Sequence, residues 1–284
     1  MTFGLVMGGG GVVGIAWELG VLDALLQEQA LIPADASALV GTSAGSVVST
    51  QLAGGRSIDD LVAEQLAPPA GATGGGAAAP DMNAVMAIFG GMMTVSEMTR
   101  ELALTTGKLA LEAPTGPEAS WIGWFEQMVG VADWPAADLR VVAMSCTRGE
   151  RRVWTKADGV PLHHAVASSC SVPGMFPPVT IEGDRYTDGG AWSPSNADVL
   201  AGEGLDAVVF IGPIGGFLAG RPQVETEMET LAAKGARTMT LLPGPDFEPL
   251  RMSLMDPAFR AQGLEVGRAD GKAAAASIRS TIAG

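Results

Sequence analysis

The residues of this chain that could do covalent chemistry are few, and they sit among glycines. Gly41-Thr42-Ser43-Ala44-Gly45 is a G-x-S-x-G string between a short apolar run, 38–40, and a helically spaced stretch, 43–53. A serine at a strand–turn–helix junction is presented for nucleophilic attack, and flanking glycines relieve crowding around a strained backbone. The dipole of the following helix favours negative charge on the serine oxygen. The plainer reading of Ser43 is a helix N-cap. Gly8-Gly9-Gly10-Gly11 follows the apolar run 2–7. Small residues there leave N–H groups unshielded beside a helix start, which suits an anion. Gly9, Gly11 and Gly14 also fit G-x-G-x-x-G, yet the second strand ends in Val40-Gly41 without the acid a dinucleotide ribose needs. Asp188-Gly189-Gly190 is the third motif, a carboxylate left open to a neighbour by the small residues after it. Asp158-Gly159 and Asp270-Gly271 compete with it as ordinary Asp-Gly turns.

Glycine makes up 39 of 284 residues. At that density chance yields the dinucleotide pattern about 0.7 times and the serine string about 0.3 times. Order and setting therefore carry the weight. A serine oxygen also needs a base. The only histidines are His163 and His164, which with an acid such as Asp138 could complete a Ser–Asp–His order. Residues 162–166 read as a helix start rather than the loop usual for a catalytic histidine. An aspartate base, a histidine base and an anion-binding module without chemistry all stay open on the residues alone.

The elements that must position these groups alternate. Strands are expected at 2–7, 38–40, 139–145, 152–155, 206–211 and 238–242, with a hairpin over 179–187. Helices are expected at 14–29 (its acids on the face away from the apolar one), 43–53, 58–66, 96–105, 118–129, 163–169, 224–234, 257–267 and 272–282. Strand–helix–strand–helix within the first fifty residues predicts a parallel sheet. The segment 67–80 is low-complexity Gly, Ala and Pro and reads as a linker. After it, Met82, Met86, Phe89 and Met93 share a helical face, as core or as a mobile lid or acyl-chain pocket. Residues 57–135 read as a helical insertion or lid within one domain spanning 1–284.

Composition narrows the classes. The chain carries 17 Lys and Arg against 31 Asp and Glu, a net charge of −14, which disfavours nucleic acid. Two cysteines, Cys146 and Cys170, make no disulfide framework and lack metal-site spacing, and two adjacent histidines supply no His-rich zinc site. The first basic residue is Arg56, so the start lacks a secretory n-region, and apolar runs break well short of a membrane span. A soluble cytoplasmic protein is expected.

Together the motifs resemble the patatin-like phospholipases: GGGG at 8–11, GTSAG at 41–45 and DGG at 188–190, in that order. A fourth block, Ser168-Ser169-Cys170-Ser171-Val172-Pro173-Gly174-Met175-Phe176-Pro177-Pro178, looks like the family's Ser-x-Pro-x-x-Phe-Pro-Pro segment. The resemblance covers most of residues 2–200. It implies a three-layer α/β/α fold with a mostly parallel central sheet. It further implies a serine acyl hydrolase acting on lipid acyl esters through an acyl-serine intermediate, with no cofactor and no metal. Ser43 would be the nucleophile, Asp188 the base, and Gly9, Gly10 and Gly11 the oxyanion hole. An aspartate with an ordinary pKa near 3.9 is a poor base, so partial burial must raise it. One departure stands out. The family's glycine loop usually carries Arg or Lys just after the glycines, and this chain has Val12-Val13. The expected partner is a lipid or acyl-ester substrate. Transient apolar contact with a membrane surface fits, whereas a charge of −14 weighs against strong attraction to anionic lipid.

Overall fold

The sheet has eight strands, its central ones continuous apolar runs buried on both faces: β1 (Phe3–Met7), β2 (Ala38–Thr42), β3 (Leu139–Ser145), β4 (Glu150–Trp154), β5 (Val179–Ile181), β6 (Asp184–Asp188), β7 (Ala207–Ile211) and β8 (Arg237–Leu241). The structure is a computed structural model that describes residues 1–68, 95, 97–213 and 221–284. The strands form one sheet, in which β3-β2-β1-β7-β8 run parallel. The hairpin β5–β6 and strand β4 join it antiparallel at β3. The chain leaves β1 toward β2 on one side and returns to β7 on the other. That order makes the carboxyl end of β1 a topological switch point, where open α/β sheets bind their ligands.

Both faces of the sheet are covered, as a mostly parallel sheet requires. The helices are α1 (Gly11–Gln27), α2 (Ala44–Ala53), α3 (Ile58–Leu66), α4 (Arg100–Glu112), α5 (Glu118–Val129), α6 (Leu162–Ser169), α7 (Arg221–Ala233) and α8 (Arg260–Ala283). Leu5, Met7, Val141, Val209 and Ile211 pack on one side in a core shared with Trp17, Leu22, Val47, Val166, Leu264 and Ile278. Val6, Val40, Val142, Val208 and Phe210 point the other way, against Val224, Met228 and Leu231 of α7. The result is the three-layer α/β/α arrangement expected from the alternation.

Two expectations are corrected by the packing of α1. Residues 257–267 and 272–282 do not form two helices; Arg260–Ala283 is one helix, preceded by a short 3-10 turn at Pro257–Phe259. Gly263, Gly267 and Gly271 recur every fourth residue and let α8 lie almost backbone to backbone on α1. A Cβ on Gly267 would stand 2.1 Å from the Trp17 carbonyl, and one on Gly271 2.6 Å from that of Val21. Asp270 is therefore no turn residue, and it accepts the Trp17 Nε1–H at 2.8 Å. The second correction concerns the acids of α1. Sheet and α8 enclose the helix, so Glu18 and Asp23 are buried instead of facing water. Asp23 pairs with Arg268 at 2.7 Å. Burial pushes the Glu18 carboxyl well above the usual range, held back by the Gly8 backbone N–H.

Within the span 57–135, α3 packs on α1 and α8, and α5 packs on α6. Arg260 ties α3 down through the Glu64 and Ala67 carbonyls. The helix expected at 96–105 is found at Arg100–Glu112. The stripe of Met82, Met86, Phe89 and Met93 lies outside the described residues. No helix among the described residues is long and apolar enough to cross a membrane.

Candidate active site

Ser43 stands at the turn from β2 into α2 with φ 53° and ψ −121°, a conformation costly for any residue with a Cβ. Such strain persists only where the surroundings enforce it, and here they do. Gly45 donates its N–H to the Gly8 carbonyl at 2.8 Å. A Cβ on Gly45 would lie 2.3 Å from Met7 backbone, and one on Gly41 2.5 Å from the Ser46 Cα. Both glycines of the string are thus required by close approach. The Ser43 N–H donates to Ser169 Oγ at 3.0 Å. Its carbonyl accepts from Ser46 Oγ at 2.6 Å and from the Cys170 thiol at 3.3 Å. Burial and the neighbouring Asp188 charge push the Cys170 thiol well up, which keeps its proton in place to donate.

Sheet register brings Asp188 to Ser43. Strand β3 pairs with β2 at Val142↔Thr42 and with β6 at Ala143↔Asp188. Strand β4 pairs with β3 over Val141 to Ser145 and so occupies its other edge throughout. A strand has two edges, so β2 and β6 must lie end to end along the same one. Their tips converge there, β2 running up to Ser43 and β6 running down to Asp188. Asp188 is 3% exposed and Ser43 7%, so both belong to the interior rim of the sheet. Asp188 Oδ1 accepts the Gly190 N–H at 2.7 Å. Oδ2 is buried and has no hydrogen bond of ordinary length and angle. Burial pushes the carboxyl up to about 7, held back by the adjacent Ser43 side chain and by the Gly190 N–H. Cys170 and Ser171, immediately after Ser169, reach both partners: Ser171 O accepts from Asp188 N at 3.0 Å and from Thr187 Oγ1 at 2.6 Å.

The glycine loop leaves β1 at the same edge. Gly8 N donates to Ile211 O at 2.9 Å, and Gly9 N makes a long contact of 3.4 Å to Pro194 O. Gly11, with φ 62°, starts α1; a Cβ there would stand 2.7 Å from the Leu254 carbonyl. Val13 N is taken by that same carbonyl at 3.0 Å. The N–H groups of Gly10, Gly11 and Val12 make no hydrogen bond among the described residues. Helix starts expose such donors, and an oxyanion is a fitting acceptor. Val13, where the resemblance expects a cation, is fully buried, and its side chain faces Gly263 of α8. A charge on that side chain would be sealed in apolar surroundings.

The histidines lie elsewhere. His163 and His164 begin α6, pack edge to face on each other and are half-buried, while the opposite end of α6 carries Ser169. Burial, then the charge of His163, lowers the His164 pKa. Asp138 sits just before β3, at the end of the sheet remote from Ser43, and pairs with Arg140 at 2.8 Å. The order Ser43, Asp138, His163 or His164 is therefore not assembled. No role was legible in the sequence for Ser169, Cys170 or Ser171, although their block was quoted, nor for Asn196, whose Nδ2 donates to Thr42 Oγ1 at 3.1 Å, or Glu227, which accepts from the Ala197 N–H at 2.8 Å. The one local signal at Asn196 is its residue type, since asparagine tolerates the left-handed backbone it adopts, φ 53°.

Residues 5–201 match the protein-family model described as patatin-like phospholipase. Among solved structures, the chain is similar to VipD from Legionella pneumophila, with 16% identity and a TM-score of 0.47, over 97% of this chain and 67% of VipD. It is also similar to the type III effector protein ExoU, with 13% identity and a TM-score of 0.43, over 97% of this chain and 53% of ExoU. The chain thus spans about half the length of ExoU. None of the curated proteins compared matches it significantly.

Proposed function

Since the chain belongs to the patatin-like phospholipase family, whose members are lipid acyl hydrolases, we propose that it cleaves acyl esters through Ser43 and Asp188 acting as a dyad. Asp188 Oδ2 takes the Ser43 hydroxyl proton as Oγ attacks the ester carbonyl. The carbonyl oxygen becomes an oxyanion within reach of the N–H groups at Gly10 and Gly11, with Gly9 alongside. Collapse breaks the ester bond, and the proton on Asp188 leaves with the alcohol. Water then attacks the acyl-serine, gives its proton to Asp188, and releases the carboxylic acid as the proton returns to Ser43.

One observation carries this reading: a buried carboxyl oxygen without a hydrogen-bond partner, beside a serine held in a strained turn. An aspartate near pKa 7 is matched to general-base work at neutral pH, as an ordinary one is not. The test is Ser43→Ala, assayed on p-nitrophenyl esters of varied chain length and by fluorophosphonate labelling. Loss of both is expected. Labelling at the wild-type rate in that variant would sink the assignment.

A further inference from the structure

We propose that Asn196 is a positioning residue for this hydrolysis, its carboxamide fastening the residue before Ser43 to the residue after Asp188. The inference rests on the dyad reading above. It starts from a weakness in the sheet. Strands β2 and β6 meet tip to tip along β3, so no ladder of backbone hydrogen bonds runs between their ends. The β3 ladder holds each tip, and the direct link between Thr42 and Gly189 falls to a side chain.

Asn196 Nδ2 donates to Thr42 Oγ1 at 3.1 Å, to Gly189 O at 3.2 Å and to Ser193 O at 2.7 Å. Two N–H bonds are shared among three acceptors, and the side chain is fully buried. Its neighbours keep it aimed. Ser193 Oγ accepts the Asn196 N–H at 3.2 Å, and Asn196 Oδ1 faces Arg151 Nη1 at 3.4 Å. Glu227 of α7 grips the residues on either side, accepting from Ser195 Oγ and from Ala197 N. A carboxamide fixed in this way sets the distance between two turns that belong to distant parts of the chain. Displacements near 1 Å in a reacting pair typically cost about 10²-fold in rate.

The experiment compares Asn196→Asp, Thr42→Val and the double variant with wild type, each confirmed folded by circular dichroism and melting. Asn196→Asp keeps shape and left-handed compatibility but removes the donors; Arg151, which pairs with Asp198, faces the position at 3.4 Å. Thr42→Val removes one acceptor without adding charge. The expected result is a kcat about 10²-fold lower for Asn196→Asp and about 10-fold lower for Thr42→Val, each with KM for p-nitrophenyl butyrate changed less than roughly threefold. Fluorophosphonate labelling slows in proportion, and the double variant is no worse than Asn196→Asp alone, because both cut the same link. Wild-type kcat in folded Asn196→Asp, a change in KM alone, or losses that multiply in the double variant would overturn the proposal. Ser43→Ala runs in parallel: if it still labels, the dyad reading fails, whereas lost labelling there with unchanged Asn196→Asp fails this inference alone.

Discussion

Replacing Asp188 by asparagine should make the protein inactive and, above neutral pH, more stable. Burial lifts the Asp188 carboxyl from 3.8 to about 7 in the folded chain. Below pH 3.8 the carboxyl is protonated in both states and imposes no penalty. Between pH 4 and 7 the unfolded chain ionises while the folded one holds its proton, so stability falls as pH rises. Above pH 7 the penalty levels off at about 4 kcal/mol, a displacement of some three pH units at 1.36 kcal/mol each. An amide never ionises and escapes that penalty. It gives back about 1–2 kcal/mol, because the 2.7 Å bond from Gly190 no longer has an anion to accept it. The net gain at pH 8 is about 2–3 kcal/mol, or roughly 4–6 °C in a chain of this size. Calorimetric melting of Asp188→Asn and wild type at pH 5 and pH 8, with turnover measured alongside, tests it. The variant should melt higher at pH 8, the difference should shrink at pH 5, and turnover should drop at least about 10²-fold. Wild-type kcat/KM should fall tenfold per pH unit below about 7 and level off above it. A melting difference of equal size at both pH values, or a wild type more stable at pH 8, would refute the reasoning from burial.

Other outcomes follow from the same geometry. His163→Ala combined with His164→Ala should leave ester hydrolysis within about threefold of wild type, because both histidines sit at the end of α6 away from Ser169. Loss of turnover in that folded variant would restore a histidine base. Gly267→Ala should cost about 2 kcal/mol or more in chemical denaturation, since the added Cβ would press on the Trp17 carbonyl 2.1 Å away. Gly123→Ala, on α5 with open space where the Cβ would go, should instead stabilise by about 0.5–1 kcal/mol.

The split between what was legible in the sequence and what was not follows the range of the interactions. Strand β1 and its glycines, the serine turn and the α5 boundaries were readable because each signal is local: a short apolar run, helical spacing, a small residue where backbones cross. The bend at Asp270-Gly271 was misread for the same reason. A local rule sees a turn, whereas a carbonyl of α1, some 250 residues away, decides that Gly271 sits inside a helix. Charge placement failed likewise. Glu18 and Asp23 look like a solvent face, yet Asp23 is met by Arg268 of α8, from the other end of the chain, and Glu18 is buried beside the Gly8 backbone. At the candidate site, Ser43 and Asp188 are marked in the sequence by the glycines beside them. The groups that hold them carry no such mark. Ser169 meets Ser43 across 126 positions and Asn196 meets Thr42 across 154. A single polar contact of that span has no period and no composition. It becomes legible only when β2 and β6 are seen to end against each other on one edge of β3, where the Asn196 amide touches both Thr42 and Gly189.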